Sequence, residues 1–178
     1  MSQNALDVLG VIAGAKPEVG ADYIQAGTHL LEIQEIKLNE RFDGHWMWIA
    51  EFKVLWSADN VHTVGSVKSL VEDLNDKWKQ GPGRAKAFAM AMAEDMTEEE
   101  IDKAALGAMV GKDQMCKGFR VVCTAHNKAK KHSEGEVTKY RWTWADPSKS
   151  VEYNITALKG AKAKEAAESA GDDDDFEM

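Results

Sequence analysis

Apolar and polar positions alternate most clearly over residues 44–57, Gly-His-Trp-Met-Trp-Ile-Ala-Glu-Phe-Lys-Val-Leu-Trp-Ser. With the two-residue period of a strand, Trp46, Trp48, Ala50, Phe52, Val54 and Trp56 share one face, and Met47, Ile49, Glu51, Lys53 and Leu55 share the other. Aromatic and β-branched residues suit a pleated, half-buried surface. A strand this long is expected to bend at a bulge, so that one face can pass from core to solvent. The tryptophans then have two uses: core packing, or a platform on which the bases of a single strand stack.

The same alternation predicts a strand before it, over residues 23–38, with Leu31, Ile33 and Glu35 on one face and Leu30, Glu32, Gln34 and Ile36 on the other. Gly27 and a change of polarity along this stretch predict a bulge. Residues 39–44 form a turn ending in Asp43-Gly44. A third strand is expected over 61–70, followed by an irregular or helical stretch and a stop at Gln80-Gly81-Pro82-Gly83. Residues 84–95 form an alanine-rich helix, and Thr97 with Glu100 form a capping box for a second helix ending near Gly111. Alternation returns over 119–124 and 137–145, with Tyr140, Trp142 and Trp144 on one side of the latter and Lys139, Arg141 and Thr143 on the other. A short sixth strand is expected over 151–158.

Three strands, a helical insert and two or three further strands predict a mainly β fold, a five-stranded Greek-key barrel of the OB type with helices between strands 3 and 4. The domain covers 21–159, behind an arm at 1–20 and ahead of a disordered acidic tail at 160–178. The oligonucleotide-binding loops of that fold map to 39–44, with Arg41 and Phe42, and to 127–136, with Lys128, Lys130 and Lys131.

Charge sharpens this picture. The net charge is −8, but residues 165–178 hold seven acids and no Lys or Arg. Removing them leaves 23 acids against 22 bases, a body of −1, in which residues 112–142 hold eight bases and three acids. No apolar run spans a bilayer and the start has no signal-peptide pattern, so the expected location is the cytoplasm, that of the host cell if a phage encodes the chain. Cys116 and Cys123 are too few for a disulfide framework.

Cys116, Cys123, His126 and His132 invite a zinc reading, but their spacing lacks the tight cysteine pair of structural sites, and buried thiols explain them better. Gly81-Pro82-Gly83-Arg84 lacks the ending of a P-loop, and no nucleophile, metallohydrolase or paired-carboxylate motif appears. No catalytic residue, cofactor or metal is assigned, and the protein is not expected to be an enzyme.

The chain resembles phage-type single-stranded DNA-binding proteins of the OB fold. The resemblance lies in the arrangement of residues 21–178, in the Gly-Phe-Arg-Val strand, lysine loop and Tyr-Arg-Trp strand within 112–142, and above all in Asp172, Asp173, Asp174 and Asp175 followed by Phe176. The ending departs from the bacterial pattern, since Glu177 and Met178 follow Phe176 and no Ile-Pro-Phe is present. The resemblance implies sequence-independent binding and protection of single-stranded DNA in replication or recombination. It also implies a tail that competes with DNA and recruits replication or recombination proteins. Arg41, Phe42, Trp46, Trp48, Lys53, Trp56, Lys128, Lys130, Lys131, Lys139 and Arg141 are the expected DNA contacts, by stacking and by phosphate neutralisation. DNA and RNA, and monomer and homodimer, both stay open. The alternative is an OB-like protein-interaction module that binds no nucleic acid, its tail serving only solubility.

Overall fold

The computed structural model describes residues 23–75, 80–93, 96–130 and 134–170, with the backbone alone over 162–170. The arm at 1–20, Lys131, His132 and the acidic residues 172–177 lie outside the described residues. The elements run β1 (Gly27–Glu40), β2 (Trp46–Ser57), β3 (Val67–Asp73), α1 (Gln80–Met92), α2 (Lys103–Val110), β4 (Arg120–Ala129), β5 (Glu136–Ala145) and α3 (Val151–Ala170). The architecture is mainly β: one open, five-stranded sheet in the order β3-β2-β1-β4-β5, every neighbouring pair antiparallel. No described helix is long and apolar enough to cross a membrane.

The sheet is strongly curled. In a flat sheet β2 and β5 would stand three strand spacings apart, about 14 Å. Yet Phe52 of β2 and Trp142 of β5 stack with ring centroids 5.5 Å apart. Phe88 of α1 meets both rings edge-on, at 5.5 Å from Phe52 and 4.9 Å from Trp142. These three rings centre a core that takes in Ile33, Ile36, Trp48, Ala50, Val54, Leu70 and Val121 from the concave side of the sheet. Helix α1 plugs the space between β3 and β5, its first turn pressed onto the end of β3. A Cβ on Gly81 would overlap the Asp73 carbonyl, so only glycine fits there.

Two irregularities set which residues face outward. Leu31 pairs with Val54 and Leu30 with Trp56, which leaves Leu55 as an extra residue in β2. Val54 joins the core, and Trp56 turns to the outer face beside Leu30 and, across β1, Val122. Farther along, Gln34 is the extra residue, between the pairs Ile33–Phe52 and Glu35–Glu51. Beyond Glu32, where β4 stops pairing with β1, the side chain of Gln114 takes its place. Oε1 accepts the Ile36 amide at 2.8 Å and Nε2 donates to the Ile36 carbonyl at 2.9 Å.

Several expected boundaries move. Residues 61–66 are a turn, not the start of the third strand. Asp59 and Asn60 take φ values of 55° and 53°, and Gly65 donates back to the Val54 carbonyl at 2.8 Å. The stop at Gln80-Gly81-Pro82 is the first turn of α1, where proline costs no hydrogen bond. The Thr97–Glu100 pair forms, the Thr97 amide donating to Glu100 Oε2 at 2.7 Å, but it closes an isolated turn. Helix α2 starts instead from Asp102, whose carboxylate accepts the amides of Ala104 and Ala105 at 2.9 Å. The expected sixth strand is helix α3, capped where Ser150 Oγ accepts the Tyr153 amide at 3.0 Å. That helix continues through Ala170, so residues 160–170, expected to be disordered, are helical.

Candidate nucleic-acid interface

The β4–β5 hairpin alternates strictly, and its two faces differ in chemistry. Cys123, Ala125, Tyr140 and Trp142 face the core. Arg120, Val122, Thr124, His126 and Lys128 of β4, paired with Ala145, Thr143, Arg141, Lys139 and Val137 of β5, form the outer face. None of these outward residues is acidic. His126, Lys128 and Arg141 are exposed and Lys139 is half-buried. Arg120 is engaged elsewhere, its Nη1 donating to the Lys149 carbonyl at 2.7 Å and so tying down the turn before α3. The remaining cations form a stripe along the hairpin, of the kind that follows a phosphate backbone.

The outer face of β1, β2 and β3 is different. Glu35, Lys37 and Asn39 stand beside Glu51, Ile49 and Met47, which in turn stand beside Ser69, Val71 and Asp73. Lys37 is held by Glu51 at 2.8 Å and by Glu35 at 3.0 Å. The Glu51 hydrogen bond does most to raise the lysine's pKa above its ordinary value, against an opposing effect of burial. Lys53 is exposed and pairs across to Glu32 and Val67. From Glu32 to Asn39 of β1 and across the β2 and β3 positions paired with them, this surface has acids among its cations and no aromatic ring.

The expected contacts are thus dispersed. Trp48 is only 3% exposed and belongs to the core, so in this conformation it offers no stacking surface, contrary to the assignment from sequence. Trp46 sits at the rim of the same face, 42% exposed. Arg41 and Phe42 project from the β1–β2 turn, Phe42 98% exposed, with the Arg41 guanidinium 5.8 Å from its ring and 3.6 Å from Asp43. They lie at the opposite end of β1 from the hairpin tip, roughly 60 Å away along the strand path at ordinary strand rise. Trp56 is the aromatic residue that joins the hairpin surface. Trp56 and Arg141 both line a groove of about 600 Å³ between α3 and the sheet.

Lys130 lines a second cleft, of about 850 Å³, bordered by Val71 and Glu72 of β3 and by Thr138 and Tyr140 of β5. Its polarity is mixed. Glu72 is buried; its Oε2 accepts a hydrogen bond from Arg84 Nε at 2.7 Å and pairs with Nη2 at 2.6 Å. Tyr140 donates to the Ile24 carbonyl at 3.2 Å, and burial pushes its phenol pKa up.

Beside that cleft lies a histidine pair that sequence reasoning left aside. His29 and His62 have ring centroids 4.7 Å apart. His29 Nε2 stands 3.0 Å from the Gln25 carbonyl, which only accepts, so this nitrogen carries the proton. Nδ1 then accepts from Ser57 Oγ at 3.0 Å. The Gln25 amide donates to His62 Nε2 at 3.1 Å, and the His62 amide donates to Ser57 Oγ at 3.0 Å. Burial lowers the His29 pKa, partly opposed by the Gln25 bond.

Among the described residues, the cysteine–histidine set does not converge. Cys123 faces the core and His126 the outer face, and among the described residues no cluster of ligand-type side chains could hold a metal. Burial pushes the Cys116 thiol up to about 11 and raises Cys123 as well, so both are held as thiols.

Compared with known protein families and with characterised proteins, the sequence matches none. Function must therefore be argued from these surfaces.

Proposed function

We propose that the protein binds single-stranded DNA without sequence preference, along the outer face of the β4–β5 hairpin. The observation that carries this reading is the stripe of Lys128, Lys139 and Arg141, with His126 between them and no acid at any outward position of either strand. Phosphates neutralised there would release counterions and make binding steeply salt-dependent. The architecture supports the same reading. Five antiparallel strands curl toward closure, a helix follows the third, and the gap lies between β3 and β5, as in a partly open OB barrel. The acidic residues Asp172 to Asp175, with Phe176, act in this account as an intramolecular competitor for the stripe and as a handle for replication or recombination proteins.

A second reading is favoured by the cleft between β3 and β5. Its bordering strands lie at the two ends of the sheet order, and an extended peptide can pair with such edges. Gel shifts with a dT oligonucleotide, duplex DNA and RNA of equal length separate the two. The expected result is binding of the dT strand at least about tenfold tighter than duplex, weakening as salt rises. RNA bound as tightly as dT would widen the proposal to single strands in general. Equal binding of duplex, or none at low salt, would overturn it in favour of the peptide-binding module.

A further inference from the structure

We propose that the groove between α3 and the outer face of the sheet is a pocket for one unstacked nucleobase, with Trp56 as the ring it lies on and Arg141 at its mouth. The inference rests on the single-strand reading and adds a site that holds a base to the stripe that holds phosphates.

Four observations point to a base. First, the β2 irregularity turns Trp56 away from the core, where it is half-buried and has no aromatic partner among the described residues, whereas Phe52, Phe119, Tyr140, Trp142 and Trp144 each have one. A half-exposed indole in a groove is a ready stacking surface for any base. Second, the volume of about 600 Å³ lies within the range of small-ligand pockets. Third, the helix wall is made by Asn154 and Leu158 with the small Ala157 and Ala161 at its exposed side, where a larger side chain would narrow the groove. Fourth, the lining mixes apolar surface with the hydroxyls of Thr124 and Thr143, which suits the polar edge of a base better than an acyl chain.

Charge decides the occupant. Arg141 lines the groove and also belongs to the outer stripe, facing Thr124 one pair along from His126–Lys139. A strand whose phosphates follow Lys128, Lys139 and Arg141 therefore delivers a base to Trp56 without turning back. Asp146 also lines the groove, but its carboxylate is turned into its own loop, where Oδ1 accepts the Ser148 amide at 2.8 Å.

The test compares a dT oligonucleotide with an abasic deoxyribose-phosphate oligomer of the same length and charge, using the full chain. The expected result is a preference of about tenfold for dT, the size of one stacked base. Ala157→Leu fills the groove without changing a charge, and should reduce that preference toward one while leaving the salt dependence of binding unchanged. Ala161→Leu serves the same purpose if Ala157→Leu lowers thermal stability. Equal binding of both oligomers by the wild type, or a preference that survives the filled groove, would overturn the pocket and leave a purely backbone-binding protein. Failure of both oligomers to bind would overturn the single-strand reading itself.

Discussion

The outer faces of the two halves of the sheet have the same geometry and opposite character. On β1, β2 and β3 the outward positions hold Glu32, Glu35, Glu51 and Asp73 against Lys37 and Lys53, and Lys37 is engaged by two of the acids. On β4 and β5 they hold Arg120, Lys128, Lys139 and Arg141 with no acid. A net charge of −8 conceals this division completely. What recognises a polyanion is the local arrangement of cations without competing acids, and only one half of the sheet has it. The difference also reassigns the tryptophan-rich strand: β2 builds the core, and the hairpin carries the charge.

The largest effect should come from breaking that assignment in the core. Trp48→Ala removes a buried indole, and should cost about 3–5 kcal/mol in chemical denaturation. A loss under about 1 kcal/mol would return Trp48 to the list of stacking residues. The next effect sharpens the contrast between the faces. Replacing Lys128, Lys139 and Arg141 together by alanine should lower the slope of log affinity for dT against log salt by about 2, at roughly 0.7 per phosphate contact. Replacing Lys37 and Lys53 should leave the slope unchanged. Equal effects from both sets would mean that binding is spread over the whole sheet.

A smaller effect concerns the interior of the first half, where His29 of β1 meets Ser57 of β2. Its folded pKa lies below the ordinary value of 6.5, so between those two values the unfolded chain binds the extra proton. Stability should therefore fall as pH drops below about 6.5, and level off once the folded histidine also titrates. Replacing His29 by glutamine should flatten that part of the stability–pH curve; an unchanged curve would assign the dependence to other groups. Smallest of all is the tail. Deleting 172–178 should strengthen dT binding at low salt, and the gain should vanish as screening shortens to about 8 Å at physiological ionic strength. Identical affinities at every salt would leave the tail no part in the groove.

Much of this division was legible in the alternation of β5, where Lys139 and Arg141 interleave with Tyr140 and Trp142. The position of β2 was legible too, but not the fate of Trp56. Its facing depends on the register of β1 against β2, and a one-residue slip in pairing leaves no mark on a two-residue pattern. The capping pair Thr97–Glu100 formed its bond without starting a helix, because the local signal is also satisfied by a lone turn. Over 151–158 a strand is expected, and the decisive residue is Ser150, whose hydroxyl caps α3. An N-cap hydroxyl outweighs the β propensity of the residues that follow it, and the helix it starts walls the groove.

The central claim, that a single strand lies along the hairpin and not across the tryptophan-rich strand, is tested most directly by ultraviolet crosslinking of a dT oligonucleotide followed by mass spectrometry of the joined peptides. The account predicts crosslinks at Trp56 and on peptides carrying Lys128, Lys139 and Arg141, all lost when the three cations are replaced by alanine. Crosslinks confined to Phe42, Trp46, the outward residues Met47, Ile49, Glu51 and Lys53 of β2 and the outward residues of β3 would contradict it.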